Sequence, residues 1–229
     1  MNNRIFFRGL SLLILSISWM ILDLGNFALI QANLAESLRG GEDGEDTASG
    51  SDRNPCDELG LDLTPIVTQA DNPETGFSNW GKTHVATPSL WVYIPYTREQ
   101  LSRATLSIRK GEKEAIVYHD RISLDTLGQT PGLVNIALEE LDISLETEHW
   151  YRWYLFLNVY CTEDSEQPEK EEISAWIQYQ DNESGDRLYD RLAEIDVIED
   201  SQARKNAWIV VLQELGYNAI AKELLTSEN

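Results

Sequence analysis

A chain of 229 residues, 42% of them hydrophobic, can hold one large domain or two small ones around a real core. Lys plus Arg number 18 against 39 Asp plus Glu, a formal charge of −21, so phosphate backbones are repelled and nucleic acid is disfavoured as a partner. The plain reading of that acidity is solubility.

Arg4 and Arg8 precede an almost wholly apolar run from Leu10 to Leu22, the pattern of a secretory signal, with cleavage expected after Ala32 or, less favoured, after Ala35. The alternative is an uncleaved anchor from Leu10 to Ile30, which would carry Asp23 into the bilayer at about 2.5–3.5 kcal/mol. On either reading the remainder is expected to be exported, periplasmic or extracellular, touching a membrane only through an uncleaved N-terminal segment. Residues 1–32 are thus read as signal peptide or anchor and residues 33–54 as a disordered acidic linker. The Gly-Gly-Glu-Asp-Gly-Glu-Asp run of that linker has too little apolar surface to offset its ordering entropy. Neither it nor the stretch from Asp181 to Asp186 has the ligand spacing of a calcium loop.

Residues 55–180 read as a β-sandwich. Leu59 to Val67 suggests an opening strand broken at Pro65, followed by a polar loop rich in Asn, Gly and Thr. Leu90 to Ile94 is a strand stopped by Pro95. Ala104 to Arg109 and Ala115 to His119 alternate at period two around Lys110-Gly111-Glu112-Lys113, which is a hairpin signal. Leu133 to Leu138, entered through Pro131-Gly132, is another short strand, and Ile173 to Tyr179 closes the set. Between them runs the aromatic stretch Glu148 to Cys161, which places Tyr151, Trp153, Leu155, Leu157, Val159 and Cys161 on one face. That pattern predicts the central strand of an immunoglobulin-like antiparallel sandwich. Leu145 and Tyr151 have the spacing of a corner in which a Tyr at the strand start bonds back to the chain before it. Core packing, with Arg152 paired to an acid, is the expected role of Tyr151-Arg152-Trp153.

Cys56 and Cys161 are an even count in an expected exported chain, which favours a disulfide. It would close a loop of on the order of 100 residues, worth about 4–5 kcal/mol in the chain-entropy model. A catalytic cysteine would need a base, and His84, His119 and His149 lie in no nucleophile motif.

Residues 181–229 change period. Leu188, Leu192 and Ile195 recur at helical spacing, and Ser201 is placed to cap a second helix carrying Trp208, Val211, Leu212 and Leu215. Gly216 is placed to end it in a left-handed cap, and Ala219 to Leu225 predicts a short third helix with Ile220 and Leu224 inward. Helices this short need a surface to pack on.

Several stretches together resemble one family, the exported and mostly cyanobacterial proteins grouped as domain of unknown function 928. They are Cys56 with Leu61 to Val67, Pro88 to Tyr96, Pro131 to Val134, Leu145 with Tyr151 to Tyr154, Cys161, Ala175 to Gln178, and Trp208 to Tyr217. The likeness runs from about Cys56 to Leu225. Two departures are an acidic Gly/Ser run where a Gly- and Arg-rich turn is expected, and a shorter segment between Gln180 and Leu188. The resemblance implies an exported domain and supplies no catalytic residues.

No phosphate loop, His/Cys metal spacing or nucleophile elbow occurs in the chain, so no cofactor or metal site is expected. Carboxylate pairs such as Glu139-Glu140 and Glu171-Glu172 mean little in so acidic a chain without a cleft between two of them. Three functions stay open. The first is a non-catalytic envelope module that binds another protein. The second is a carbohydrate- or wall-binding sandwich stacking sugars on exposed Trp80, Trp91, Tyr96 or Trp176. The third, less favoured, is a hydrolase with an unrecognised acidic site.

Overall fold

The computed structural model describes Cys56 and residues 61–162, 164–181 and 187–226. The expected signal or anchor, the expected linker and the stretch from 182 to 186 lie outside the described residues.

The described residues fold as two β-sheets and three C-terminal helices, mainly β as the sequence predicts. Its strands are β1 (Thr64–Pro65), β2 (Trp80–Thr83), β3 (Ser89–Ile94), β4 (Leu101–Lys110), β5 (Ala115–Ile122), β6 (Gly132–Ala137), β7 (Trp150–Val159) and β8 (Glu169–Tyr179). The smaller sheet has the order β1-β3-β6 and the larger β2-β8-β7-β4-β5. Every pairing is antiparallel except β2 with β8. The chain crosses from the smaller sheet to the larger between β3 and β4 and again between β6 and β7.

The aromatic stretch is the middle strand of the larger sheet. Tyr151, Trp153, Leu155, Leu157 and Val159 are all buried, and they meet Ala104, Leu106 and Ile108 of β4 in the core. The Tyr151 hydroxyl accepts the backbone N–H of Glu146 at 2.9 Å, closing the expected corner. Cys56 and Cys161 form a disulfide, which ties the start of the described chain to the end of β7.

One strand expectation holds in part and one needs correction. β1 is short and ends at Pro65, where the opening strand is expected to break. β1 is an edge of its sheet, where a residue without an N–H leaves no partner unsatisfied. The polar loop after it contains β2, whose Gly, Lys and Thr give no period-two signal. Its burial comes from β8 on one side and the first helix on the other.

The helices are α1 (Leu188–Asp196), α2 (Ser201–Glu214) and α3 (Asn218–Thr226). Asp200, not Ser201, caps α2. Its carboxylate accepts the Ala203 N–H at 2.6 Å, and Ser201 is the first helical residue. Gly216, at φ 89°, ends α2 as expected, with Tyr217 N–H donating to the Leu212 carbonyl at 2.8 Å. The helices pack on the sandwich through specific contacts. Trp208 of α2 lies 4.7 Å from Trp91 of β3, the Tyr93 hydroxyl donates to Glu223 of α3, and Tyr217 donates to the Pro65 carbonyl at 2.7 Å. β3 is therefore buried on both faces. The larger sheet keeps one face open.

Candidate functional site: the outer face of the larger sheet

Residues of β4, β7 and β8 that alternate with the core positions share this outer face. Cross-strand pairing sets them in rows. Trp176 lies beside Arg152 and Arg109, Ser174 beside Tyr154 and Ser107, Glu172 beside Phe156 and Thr105, and Lys170 beside Asn158 and Arg103. Arg121 of β5 extends the row of Thr105.

Rings and cations alternate across these rows. Phe77 stacks on Trp176 with centroids 3.9 Å apart, and Trp150 meets Phe77 and Trp80 edge-on at 5.7 and 6.2 Å. Tyr154 and Phe156 lie parallel at 6.0 Å. The Arg109 and Arg152 guanidinium carbons are 4.8 and 4.9 Å from the Tyr154 centroid, and Arg152 is also 5.6 Å from that of Trp176. The Lys170 ammonium is 4.4 Å from the Phe156 centroid. Each contact of this kind contributes about 0.5–1 kcal/mol at an exposed site and restricts where the cation can move.

Glu114, at the end of the β4–β5 hairpin, organises the upper rows. Its φ of 52° is left-handed, which costs a residue with a Cβ roughly 1–2 kcal/mol. The conformation brings its carboxylate to accept from the Tyr154 hydroxyl at 2.6 Å and from Arg109 Nη1 at 2.7 Å, with Arg152 Nη1 at 3.4 Å. The Tyr154 bond and then the Arg109 bond hold the Glu114 carboxyl below the usual carboxylate range. Burial, and then the bond to Glu114, push the Tyr154 phenol up. Glu114 is thus an ionised anchor at neutral pH and a poor proton donor.

A cleft of about 310 Å³ opens between the 76–79 loop and the sheet, walled by Phe77, Ser78, Asn79, Arg152, Ser174 and Trp176. Asn72 builds the loop by accepting the N–H groups of Glu74 and Thr75 at 2.9 and 3.0 Å. Asn79, at φ 56°, returns the chain to β2, and its carbonyl accepts the Trp176 N–H at 2.8 Å. Arg152 Nη2 donates to Ser174 Oγ at 3.1 Å, and its buried Nε has no partner among the described residues. The cleft therefore offers a fixed guanidinium and small hydroxyl and amide groups to a ligand.

A larger cavity, about 720 Å³, lies beside Thr97, Glu99, Tyr160 and Cys161. Cys161 is in the disulfide, so it offers no thiolate there. Among the described residues no group of three or more His, Cys, Asp or Glu is placed to hold a metal ion.

The four aromatic residues expected to stack a ligand do not form one patch. Trp91 is 2% exposed under Trp208 and Tyr96 is 1% exposed, so neither can meet a sugar. Trp80 is buried under the 70–79 loop, its indole N–H donating to the Ala70 carbonyl at 2.8 Å. Trp176 alone is half-buried and lines the cleft. The sequence reading missed Phe77, Arg109, Glu114, Lys170 and Ser174. The outward positions of the predicted strands are the signal that could have gathered Arg109 and Ser174; Phe77, Glu114 and Lys170 lie outside those strands.

No curated protein matches the chain. The sequence model of a family described as Domain of Unknown Function (DUF928) matches residues 48–194, more than half of the chain. The match ends within α1, so α2 and α3 lie beyond it, whereas the sequence resemblance extends to Leu225. The chain belongs to the family described as Domain of Unknown Function (DUF928).

Proposed function

We propose that the protein is an exported envelope module that acts by binding rather than catalysis, and that it meets its partner with the outer face of the larger sheet. The observation that carries this reading is the layer of Arg109, Arg152 and Lys170 held against Tyr154, Trp176 and Phe156. Rings backed by oriented cations are the residue types that dominate recognition surfaces. Export is supported by the N-terminal pattern and by the disulfide. The non-catalytic reading is supported by cysteines bonded to each other, which leaves no free thiol among the described residues.

Co-sedimentation with isolated envelope fragments tests the surface. Wild-type protein is expected to sediment with them, and Arg152→Glu combined with Trp176→Ala to lose at least tenfold of that binding. Lys222→Glu, on the exposed side of α3, should leave it unchanged. Equal sedimentation of all three proteins would remove the outer face from consideration.

A further inference from the structure

The charge of the outer face is opposite to that of the chain. The protein carries −21 overall, yet the outward positions of β4, β5, β7 and β8 hold Arg103, Arg109, Arg121, Arg152 and Lys170, with Glu172 the acid among them. Glu114 comes in from the hairpin and offsets part of the charge of Arg109 and Arg152, and Glu172 lies 3.6 Å from the Lys170 ammonium, which leaves the five cations in excess of two acids. A cationic field on one face of an acidic protein draws an anionic partner to that face and repels it from the others.

The layout of the cations narrows the class. Arg109 and Arg152 mark one end, and Arg103, Arg121 and Lys170 the other. About six residues of strand, roughly 20 Å, separate the ends at about 3.3 Å per residue. Between them lie the ring of Phe156 and the hydroxyls of Thr105 and Ser174, with Tyr154 and Ser107 buried beneath. A polypeptide that recognises a sheet by main-chain hydrogen bonds adds to its edge. β7 and β4 lie inside the sheet, so only side chains are available to a ligand here. A ligand for this face must be extended, bear anions at intervals and offer hydroxyls and carbon–hydrogen faces between them. Acidic polysaccharides have that chemistry.

We propose that an acidic polysaccharide lies along β7 and β4, with one anionic substituent, a carboxylate or a sulfate, in the cleft against Arg152. The Arg152 guanidinium that walls the cleft, together with the hydroxyls of Ser174 and Ser78, supplies donors for that anion. Phe156 and the rim of Trp176 supply the apolar contact. This rests on the outer face being the binding surface and adds the chemical class of the ligand.

The test is affinity electrophoresis and calorimetry of the full chain against polygalacturonate, dextran sulfate, neutral dextran and poly-L-glutamate. Retardation by polygalacturonate, dextran sulfate or both, with none by neutral dextran, is the expected result; the stronger of the two identifies the anion. Arg152→Ala should weaken binding at least tenfold, and so should Arg121→Glu with Lys170→Glu, two exposed positions whose change leaves the fold intact. Binding should also fall steeply as salt rises. Equal binding to poly-L-glutamate would overturn the glycan and point to an acidic polypeptide on the same face. Lack of binding to every polymer, or variants that bind like wild type, would overturn the inference outright. The envelope co-sedimentation is independent of these polymers, so the surface and its ligand class can fail separately.

Discussion

Tyr189 accepts the indole N–H of Trp153 at 3.0 Å in the buried interior, which joins α1 to the central strand. Both side chains are about as buried as any in the protein, at 1% and 0% exposure. Removing the acceptor leaves a buried donor without a partner, at about 1–3 kcal/mol. Tyr189→Phe should therefore lower the thermal midpoint by roughly 2–4 °C per kcal/mol lost, read by calorimetry. Gly81 comes so close that a Cβ there would sit 2.7 Å from Tyr189 Cε2. Gly81→Ala is expected to cost about 1–3 kcal/mol through the same contact, because the buried ring cannot move aside.

Burial holds the Tyr189 phenol well above its ordinary value of 10.0, and it also raises those of Tyr93 and Tyr217. A pKa raised in the folded state gives stability that is complete below 10.0 and is lost as pH rises through the raised values. Ultraviolet titration should show these three tyrosines ionising only together with alkaline unfolding. Their ionisation near pH 10 in a still-folded protein would contradict the packing of the helices on the sandwich.

Glu114 works in the opposite sense. Its pKa is lowered from 4.5, so its contribution is complete above that value and is lost as pH falls through the lowered one. Glu114→Gln should destabilise the protein by about 1–2 kcal/mol at pH 7 and by much less at pH 3, measured by denaturant unfolding. Glu114→Gly should be more stable than Glu114→Ala by about 1 kcal/mol, because only glycine takes the left-handed conformation without strain.

The disulfide joins residues 105 apart. Replacing both cysteines with serine should cost about 4–5 kcal/mol on the chain-entropy account, a large share of a typical domain's stability. Denaturant midpoints with and without a reductant check this, and an unchanged midpoint would show that the bridge adds nothing.

The strands and helices with long apolar periods were legible in the sequence because a buried face repeats. Tyr151 to Val159 and the Leu212–Gly216–Tyr217 stop of α2 are examples. β2 was not legible, because its burial is decided by β8 and α1, which lie far along the chain. The candidate site was half legible. Arg152 and Trp176 stood out as residue types, but Glu114 reaches them only through the hairpin register, and Trp91 is hidden by a helix more than 100 residues downstream. Aromatic content alone cannot separate a ring that packs from a ring that waits for a ligand.

Hydroxyl-radical footprinting of the protein with and without envelope fragments tests the central claim most directly, because it reads the rings themselves. Binding on the outer face should protect Phe77, Phe156 and Trp176 while Val210 on α2, which is 50% exposed, stays reactive. Protection of the α2 surface with Phe77, Phe156 and Trp176 unchanged would contradict the account.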